Sequence, residues 1–488
     1  MARAVRVDPD DSVATLIEDA RAGETVEGVT LAADVARGHK VALRAIAAGE
    51  PVVKFGFPIG VARVAVAPGE HVHSGNLATG LGGTLDYRYE PASPSPLPAG
   101  APATFEGYVR GDGRVGTRNE IWILPTVGCV ARTAERIAQA SARALQGRID
   151  GVHAFAHPHG CSQLGHDLGG TRSILASLAC HPNAGGVLII GLGCEENQIA
   201  ALMDEIPEWR RPAIRTLTAQ ASADEVADGC ALVAELTQIA TCERTPVGLD
   251  RLVLGVKCGG SDGLSGLTAN PLVGRVSDRV AGSGGRVIAT EIPEMFGAER
   301  MLMQRAADES VFNKLVGVVN GFKQYFIDHG EPVSENPSPG NVAGGITTLE
   351  EKSLGAVQKA GHAPVADVIS YGARAAKDGL TVLEAPGNDA VSSTALAAAG
   401  ATVILFTTGR GTPMGFPVPT VKIASNSDLA QRKPGWIDFD AGSVLDRGME
   451  AAADALVATV CAVASGKETA AERNGEREIA IWKRGVTL

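Results

Sequence analysis

From Phe105 onward, short apolar runs rich in β-branched residues alternate with longer helix-like stretches, and this alternation constrains the fold most. Glu120–Val127, Gly151–Ala156, Gly186–Gly191 and Pro212–Leu217 read as buried strands. Val130–Leu145, Thr171–Ala179, Glu195–Met203 and Ala221–Gln238 read as the helices between them. Strands separated by a helix cannot close as hairpins, so they run parallel in a sheet covered on both faces. After Arg244-Thr245-Pro246 the pattern resumes with strands at Arg251–Val256, Arg286–Thr290, Leu380–Glu384, Val403–Phe406 and Val421–Ile423. The fold class is α/β, with parallel-sheet, Rossmann-like domains forming the large part of the chain.

Residues 1–90 differ. Short apolar pairs alternate with Gly and Pro turns, which suits a small all-β module. PASPSPLPAGAPAT (Pro91–Thr104) reads as a linker and marks a domain boundary. The chain divides accordingly into 1–90, 91–104, 105–245 and 246–488. The tail from Ser465 is charged and is expected to be loosely held.

A net charge of −11 argues against nucleic acid or an anionic membrane as partner. A small anionic substrate is compatible with it, because local donors override the global field. The start, MARAVRVDPDD, has no apolar signal core, and no apolar run is long enough to cross a bilayer. The expectation is a cytoplasmic protein, plausibly a homodimer. Eight cysteines without a CxxC pair then read as thiols or metal ligands, not disulfides.

The strand ends carry the chemistry. KCGGSDGLSGLTANP (Lys257–Pro271) follows an apolar strand and precedes a helix for which Asn270 is the expected N-cap. Its glycines allow backbone N–H groups to face a carboxylate or phosphate at the helix start. A tight turn with Asp262 as a solvated cap explains the same residues. It is neither of the common nucleotide-binding glycine motifs. Cys129, His157-Pro158-His159-Gly160-Cys161, Cys194 and Cys258 also end strands, and carboxyl ends of parallel strands share one rim. Four thiols can therefore face a common volume, although a free cysteine is commonly just a small buried residue. Cys180, Cys230, Cys242 and Cys461 read as structural, and His157, His159 and His166 with Asp167 form a second possible ligand set.

His71 and His73 lie two apart on a strand and can jointly hold a metal, or can sit solvated on an edge. His39-Lys40 is the weaker signal. Glu291 and Glu294 follow a strand, as an acid–base pair or as helix-start charges. Asn336–Thr348 reads as a long functional loop. Beyond it, Lys352 is either a base or part of a solvated helix start. Arg410, in a Thr/Gly loop, suits bidentate carboxylate recognition or a plain surface turn.

The motifs GHK, GEHVHSGN, GYVRGDGRVGTRNE, HPHGCSQLGHD, HPNAGGVLIIGLGCEENQ, KCGGSDGLSGLTANP, NPSPGNVAGGITTLEEKSLG and FTTGRGTP resemble the altronate dehydratase/galactarate dehydratase family over nearly the whole chain. The resemblance implies an N-terminal SAF (β-clip) module, a hydro-lyase activity on a sugar acid, and iron or another divalent metal. The histidine pair in GEHVHSGN is similar to the altronate branch. The implied reaction removes the proton beside the carboxylate and expels the neighbouring hydroxyl, giving a 2-keto-3-deoxy acid. On this reading Gly259, Gly260, Ser261, Asn341 and Arg410 hold the substrate, and Lys352, His39 and Asp262 are the catalytic candidates. Two metal arrangements compete: His71 with His73 on one ion, or Cys129, Cys161, Cys194 and Cys258 on iron, as Fe2+ or an iron–sulfur cluster. The thiols are favoured as the shared chemistry. A galactarate-type dehydratase, a sulfolactate-type sulfo-lyase and a non-catalytic sugar-acid binding protein are the alternatives.

Overall fold

The computed structural model describes residues 2–93, 96–98, 102–145 and 147–488. The N-terminal module holds two small antiparallel sheets and a two-stranded hairpin, Thr25–Val26 with Val29–Thr30. Ala4–Val5, Val13–Leu16, Lys40–Ala42 and His71–Val72 form one, and Pro51–Lys54, Phe57–Ala62 and Leu77–Ala78 form the other. Its strands are short because glycine turns recur, with Gly23, Gly49 and Gly69 all at φ above 80°.

The module is clamped onto the C-terminal domain. Lys40 and Lys54, both buried, each reach a carboxylate oxygen of buried Glu351 at 2.8 Å. Glu351 lies in the first turn of the helix Leu349–Ala356, whose N-cap is Thr348. Acidic residues suit that turn, opposite the helix's partial positive charge. Here Glu350 also accepts from Thr79 and Gly80 of the module. The expectation of a solvated start for this helix is therefore corrected: every residue of it is buried.

Between the two α/β parts, Thr104–Val109 pairs antiparallel with Arg244–Gly248. The middle domain has a four-stranded parallel sheet in the order Gly151–Ala154, Glu120–Pro125, Ala184–Gly191, Ile214–Thr218. The C-terminal sheet has seven parallel strands in the order Val365–Ile369, Gly379–Leu383, Arg286–Ala289, Val253–Cys258, Val403–Thr408, Thr420–Ala424, Phe439–Asp440. From Val253–Cys258 the chain first builds to one side, then returns to Val403–Thr408 on the other. Such a reversal opens a crevice at the carboxyl end of the central strands. In this sheet two strands escaped the sequence reading, Val365–Ile369 and the short Phe439–Asp440, because neither presents an uninterrupted apolar run.

Other expectations are corrected. Within the linker, residues 94–95 and 99–101 lie outside the described residues. Ala92 N–H donates to the Gln304 carbonyl and Leu97 packs on the main core, so the described part follows the C-terminal domain. The charged tail is pinned. Arg118 pairs with Glu472 at 2.9 Å, Arg477 with buried Glu120 at 2.9 Å, and Trp482 stacks on Phe322 at 5.1 Å. Its charges are the partners of buried charges about 350 positions earlier. Asn270 is not the N-cap of its helix. Thr268 is, while Asn270 is buried with its amide on the Gly355 carbonyl and its oxygen accepting from Thr407.

Replacing Glu351 with Gln strands two buried ammoniums. The expected cost is about 3–5 kcal/mol, the usual penalty for breaking a buried pair, read as a lower urea midpoint together with faster proteolysis within residues 80–93.

Candidate active site

The crevice at the strand reversal is built first from backbone. Gly260 sits at φ 64°, and a Cβ on Gly259 would come within 2.6 Å of Asp389 and Phe406. The module's Gly38 wedges against this loop, where a Cβ on Gly263 would lie 1.9 Å from the Gly38 carbonyl. Gly345 is crowded by the same carbonyl at 2.2 Å. Two short backbone approaches thus set His39 beside the glycine loop.

Polar side chains lock the loop. Asn341 donates to the Ser261 carbonyl at 2.8 Å, and its oxygen accepts from Ser338. Asp262 accepts from Ser265, Ser425 and Asn426, all within 3.0 Å. Asn341 and Asp262 therefore spend their capacity on loop shape. Arg410 is different. It is exposed, its guanidinium lies beside Gly340, its Cβ lies beside Gly260, and it forms no ion pair among the described residues. The expected functional loop Asn336–Thr348 contains the short helix Pro339–Ala343, held by a Ser338–Asn341 capping box.

Beneath the loop lies a buried charge network. Glu291, at φ 70°, accepts from Lys257 and from Lys359, the latter at 2.9 Å. A left-handed non-glycine residue is strained by about 1–3 kcal/mol and persists only where its surroundings demand it. Glu294 accepts from Lys352 at 2.8 Å, and Lys352 also reaches the Asn336 oxygen at 3.2 Å. Lys257 pairs with Asp389 at 2.9 Å. Burial alone would raise Glu294, but the ammoniums of Lys352, Lys257 and Lys359 hold it down at about 2. Burial likewise opposes charge on Lys352, yet Glu294 raises it above the ordinary lysine value. Lys352 is thus an ammonium at neutral pH. Burial pushes the Cys258 thiol up to about 12, and Lys359 reaches its sulfur at 3.3 Å.

Cys258, Glu291 and Glu294 place ligand atoms within 4.8 Å of one another, so this group could hold a metal ion. Its charge already balances without one: three ammoniums face three carboxylates. A cation there has to displace a lysine. The histidines offer a second fit. His39 Nδ1 and His71 Nε2 lie 3.0 Å apart. That is a hydrogen-bond distance, and also the spacing of two ligands at right angles on an ion about 2.1 Å from each. Burial lowers both imidazoles, His71 to about 4, which leaves them neutral as metal ligation or proton acceptance requires. His73 is exposed, its ring 5.0 Å from that of His71.

The structure separates the four thiols. Cys258 belongs to the C-terminal crevice, while Cys129, Cys161 and Cys194 lie on the middle domain's rim. Nor do His157 and His159 form a ligand set. His157 is buried, bonded to the Pro125 carbonyl and accepting from His159 N–H. The sequence reading passed over Lys257 and Lys359, and read Glu291 and Glu294 as an acid–base pair or as helix-start charges where the structure pairs them with buried lysines. A lysine inside a strand that is otherwise apolar was the available signal for Lys257; Lys359 offered none.

Three family profiles cover the chain. The SAF domain of altronate/galactarate dehydratases matches residues 2–80, the second domain of D-galactarate dehydratase/altronate hydrolase matches 107–241, and the C-terminal D-galactarate/altronate dehydratase domain matches 249–487. The chain belongs to the D-galactarate/altronate dehydratase family. It is 49% identical to altronate dehydratase of Escherichia coli and 47% identical to that of Bacillus subtilis, each across 99% of both chains. Identity to the E. coli galactarate dehydratase (L-threo-forming) is 33%, over 95% of this chain and 93% of that one. The three matched segments correspond to the β-module, the four-stranded domain and the seven-stranded domain. Among the described residues no helix is long and apolar enough to cross a membrane.

Glu294 is lowered from about 4.5 in the unfolded chain to about 2. Its contribution to stability is complete above pH 4.5 and disappears as pH falls toward 2. Urea unfolding across that window should show a falling midpoint, and Glu294→Gln should flatten the profile there.

Proposed function

We propose that this dehydratase converts an aldonate, D-altronate first among candidates, to a 2-keto-3-deoxy acid. The observation that carries the reading is the Asn336–Gly345 segment. It contacts Lys352 through Asn336, flanks Arg410 at Gly340, holds Ser261 through Asn341 and borders His39 at Ala343. Four candidate groups from different parts of the chain meet around one stretch of backbone.

Arg410 and the N–H groups of the Gly259–Gly266 loop hold the substrate carboxylate, where a planar fork matches two oxygens. Neutral His39 accepts the proton from the carbon beside the carboxylate. The Lys352 ammonium, poised by Glu294, donates to the departing hydroxyl, and the enol then collapses to the ketone. Lys352 is an acid here, since Glu294 keeps it protonated. Asp262 and Asn341 act by holding the loop. A divalent ion such as Fe2+, held by His71 with His73 turning in, would supply positive charge for the enediolate.

The 49% and 47% identities to altronate dehydratases, against 33% to a galactarate enzyme, favour an aldonate over an aldarate. Eight unpaired thiols suit a reducing cytoplasm. A homodimer is the proposed assembly, to be read from light scattering.

Turnover is tested by supplying D-altronate, galactarate and sulfolactate with Fe2+ and measuring 2-keto-3-deoxy acid and sulfite. Product from altronate alone supports the reading. Sulfite release without keto-acid from a sugar acid would replace it with sulfo-lyase chemistry, and binding without any product would make the chain a receptor. Arg410→Lys should raise KM about 10–100-fold, the worth of a charged hydrogen bond. Lys352→Met should lower kcat by about 10²–10⁴, as expected for a lost general acid.

A further inference from the structure

Thr420–Ala424 is a fully buried strand with a lysine at its centre. In the parallel register Lys257 stands opposite Phe406 and Phe406 opposite Lys422, so the two lysines flank one ring. Their ammoniums lie 5.8 and 5.3 Å from its centre. Lys257 meets the carboxylates of Glu291 and Asp389. Lys422 is as deeply buried and forms no ion pair among the described residues. Its Nζ donates instead to two backbone carbonyls, that of Thr412 at 3.3 Å and that of Met414. Both belong to the segment 409–419, which joins Val403–Thr408 to Thr420–Ala424 without helix or strand and carries Arg410.

We propose, on the reading of Arg410 as the carboxylate holder, that Lys422 is its positioning residue, fixing the loop that aims the guanidinium at the substrate.

Arg410 does not set its own direction. It is exposed and without an ion pair among the described residues, so the backbone beneath it decides where the guanidinium points. Neutral groups hold the near side of the loop. The Thr408 hydroxyl accepts from the N–H groups of Arg410 and Gly411, and Gly409 N–H donates to the Gly260 carbonyl at 3.1 Å. Past Gly411 the hold passes to Lys422. Gly415 then presses on the tail, where a Cβ would lie 1.9 Å from the Glu476 carbonyl. An ammonium in the interior is costly unless hydrogen bonds offset its lost hydration. Bonds from a charged donor are roughly twice as strong as neutral ones, and two of them end on this loop. A methionine there would fill the space and leave both carbonyls without this donor.

The clamp carries a pH signature. Burial lowers Lys422 to about 8, against the pull of Asp438, Glu476 and Asp389. These lie next to the edge strand, on the tail and at the start of the helix Asp389–Ala398. Lys257 faces Lys422 across Phe406, and Arg473 offsets Asp438. Losing the proton weakens both bonds, so the loop should loosen as pH rises through about 8.

The test reads the full chain in two ways. Hydrogen–deuterium exchange of peptides covering 409–416, corrected for intrinsic rates, should quicken about tenfold in Lys422→Met, the worth of one charged hydrogen bond. In turnover of D-altronate the loss should fall on KM, again about tenfold, rather than on kcat. KM of the unmutated chain should rise above about pH 8. Buried Lys40 is lowered to about 8 as well, so Lys422→Arg, which stays charged, separates the two by flattening the rise. Unchanged exchange at 409–416 in Lys422→Met, a loss confined to kcat, or an undiminished rise in Lys422→Arg would each overturn the proposal. Should neither variant fold, exchange in the unmutated chain decides: 409–416 must lose protection above about pH 8 while Val403–Thr408 does not. Exchange needs no turnover. A loosened loop in a chain that converts no sugar acid counts against the dehydration reading alone, and an unmoved loop in active enzyme counts against the clamp alone.

Discussion

The pairing of Glu351 with Lys40 and Lys54 is the constraint on which the rest of the crevice depends. Two ammoniums on one buried carboxylate leave a net charge that only close hydrogen bonding makes tolerable. Thr347 adds its N–H and hydroxyl to Glu351, and Lys40 reaches the Gly345 carbonyl. The cluster is directional, so the module docks in one orientation. That orientation puts Gly38 between Gly263 and Gly345, where no side chain fits, and sets His39 beside the glycine loop.

Beneath that loop the same principle is applied again. Lys257, Lys352 and Lys359 balance Glu291, Glu294 and Asp389, and the Cys258 thiol stays protonated between them. A site for an anionic substrate needs positive potential that does not collapse onto the nearest carboxylate. Paired charges lie one layer down, beneath exposed Arg410, which forms no ion pair among the described residues. The preorganised field costs no rearrangement when charge develops on the substrate.

Much of this was legible in sequence, for identifiable reasons. The strand–helix alternation located the sheets, since parallel strands buried on both faces read as apolar runs. The glycine loop and Arg410 were legible as strand-end segments because each follows an apolar run, although a plain turn explains the same residues. The helix carrying Lys352 was read as solvated, since its partners lie almost 300 residues away and leave no local mark. The charged tail misled for the same reason: Glu472 and Arg477 look solvated until Arg118 and Glu120 are placed beside them.

The sequence by itself determined which elements form, because local periodicity, turn residues and apolar runs act over a few residues. It also determined the family, through long motifs that cover the chain. Only the tertiary structure decided how the thiols divide, three on the middle rim and one in the crevice, and which lysine meets which carboxylate. Those outcomes depend on strand order. In a parallel sheet, order is set by how helices pack between strands, so residues distant in sequence become neighbours without any local signal of it.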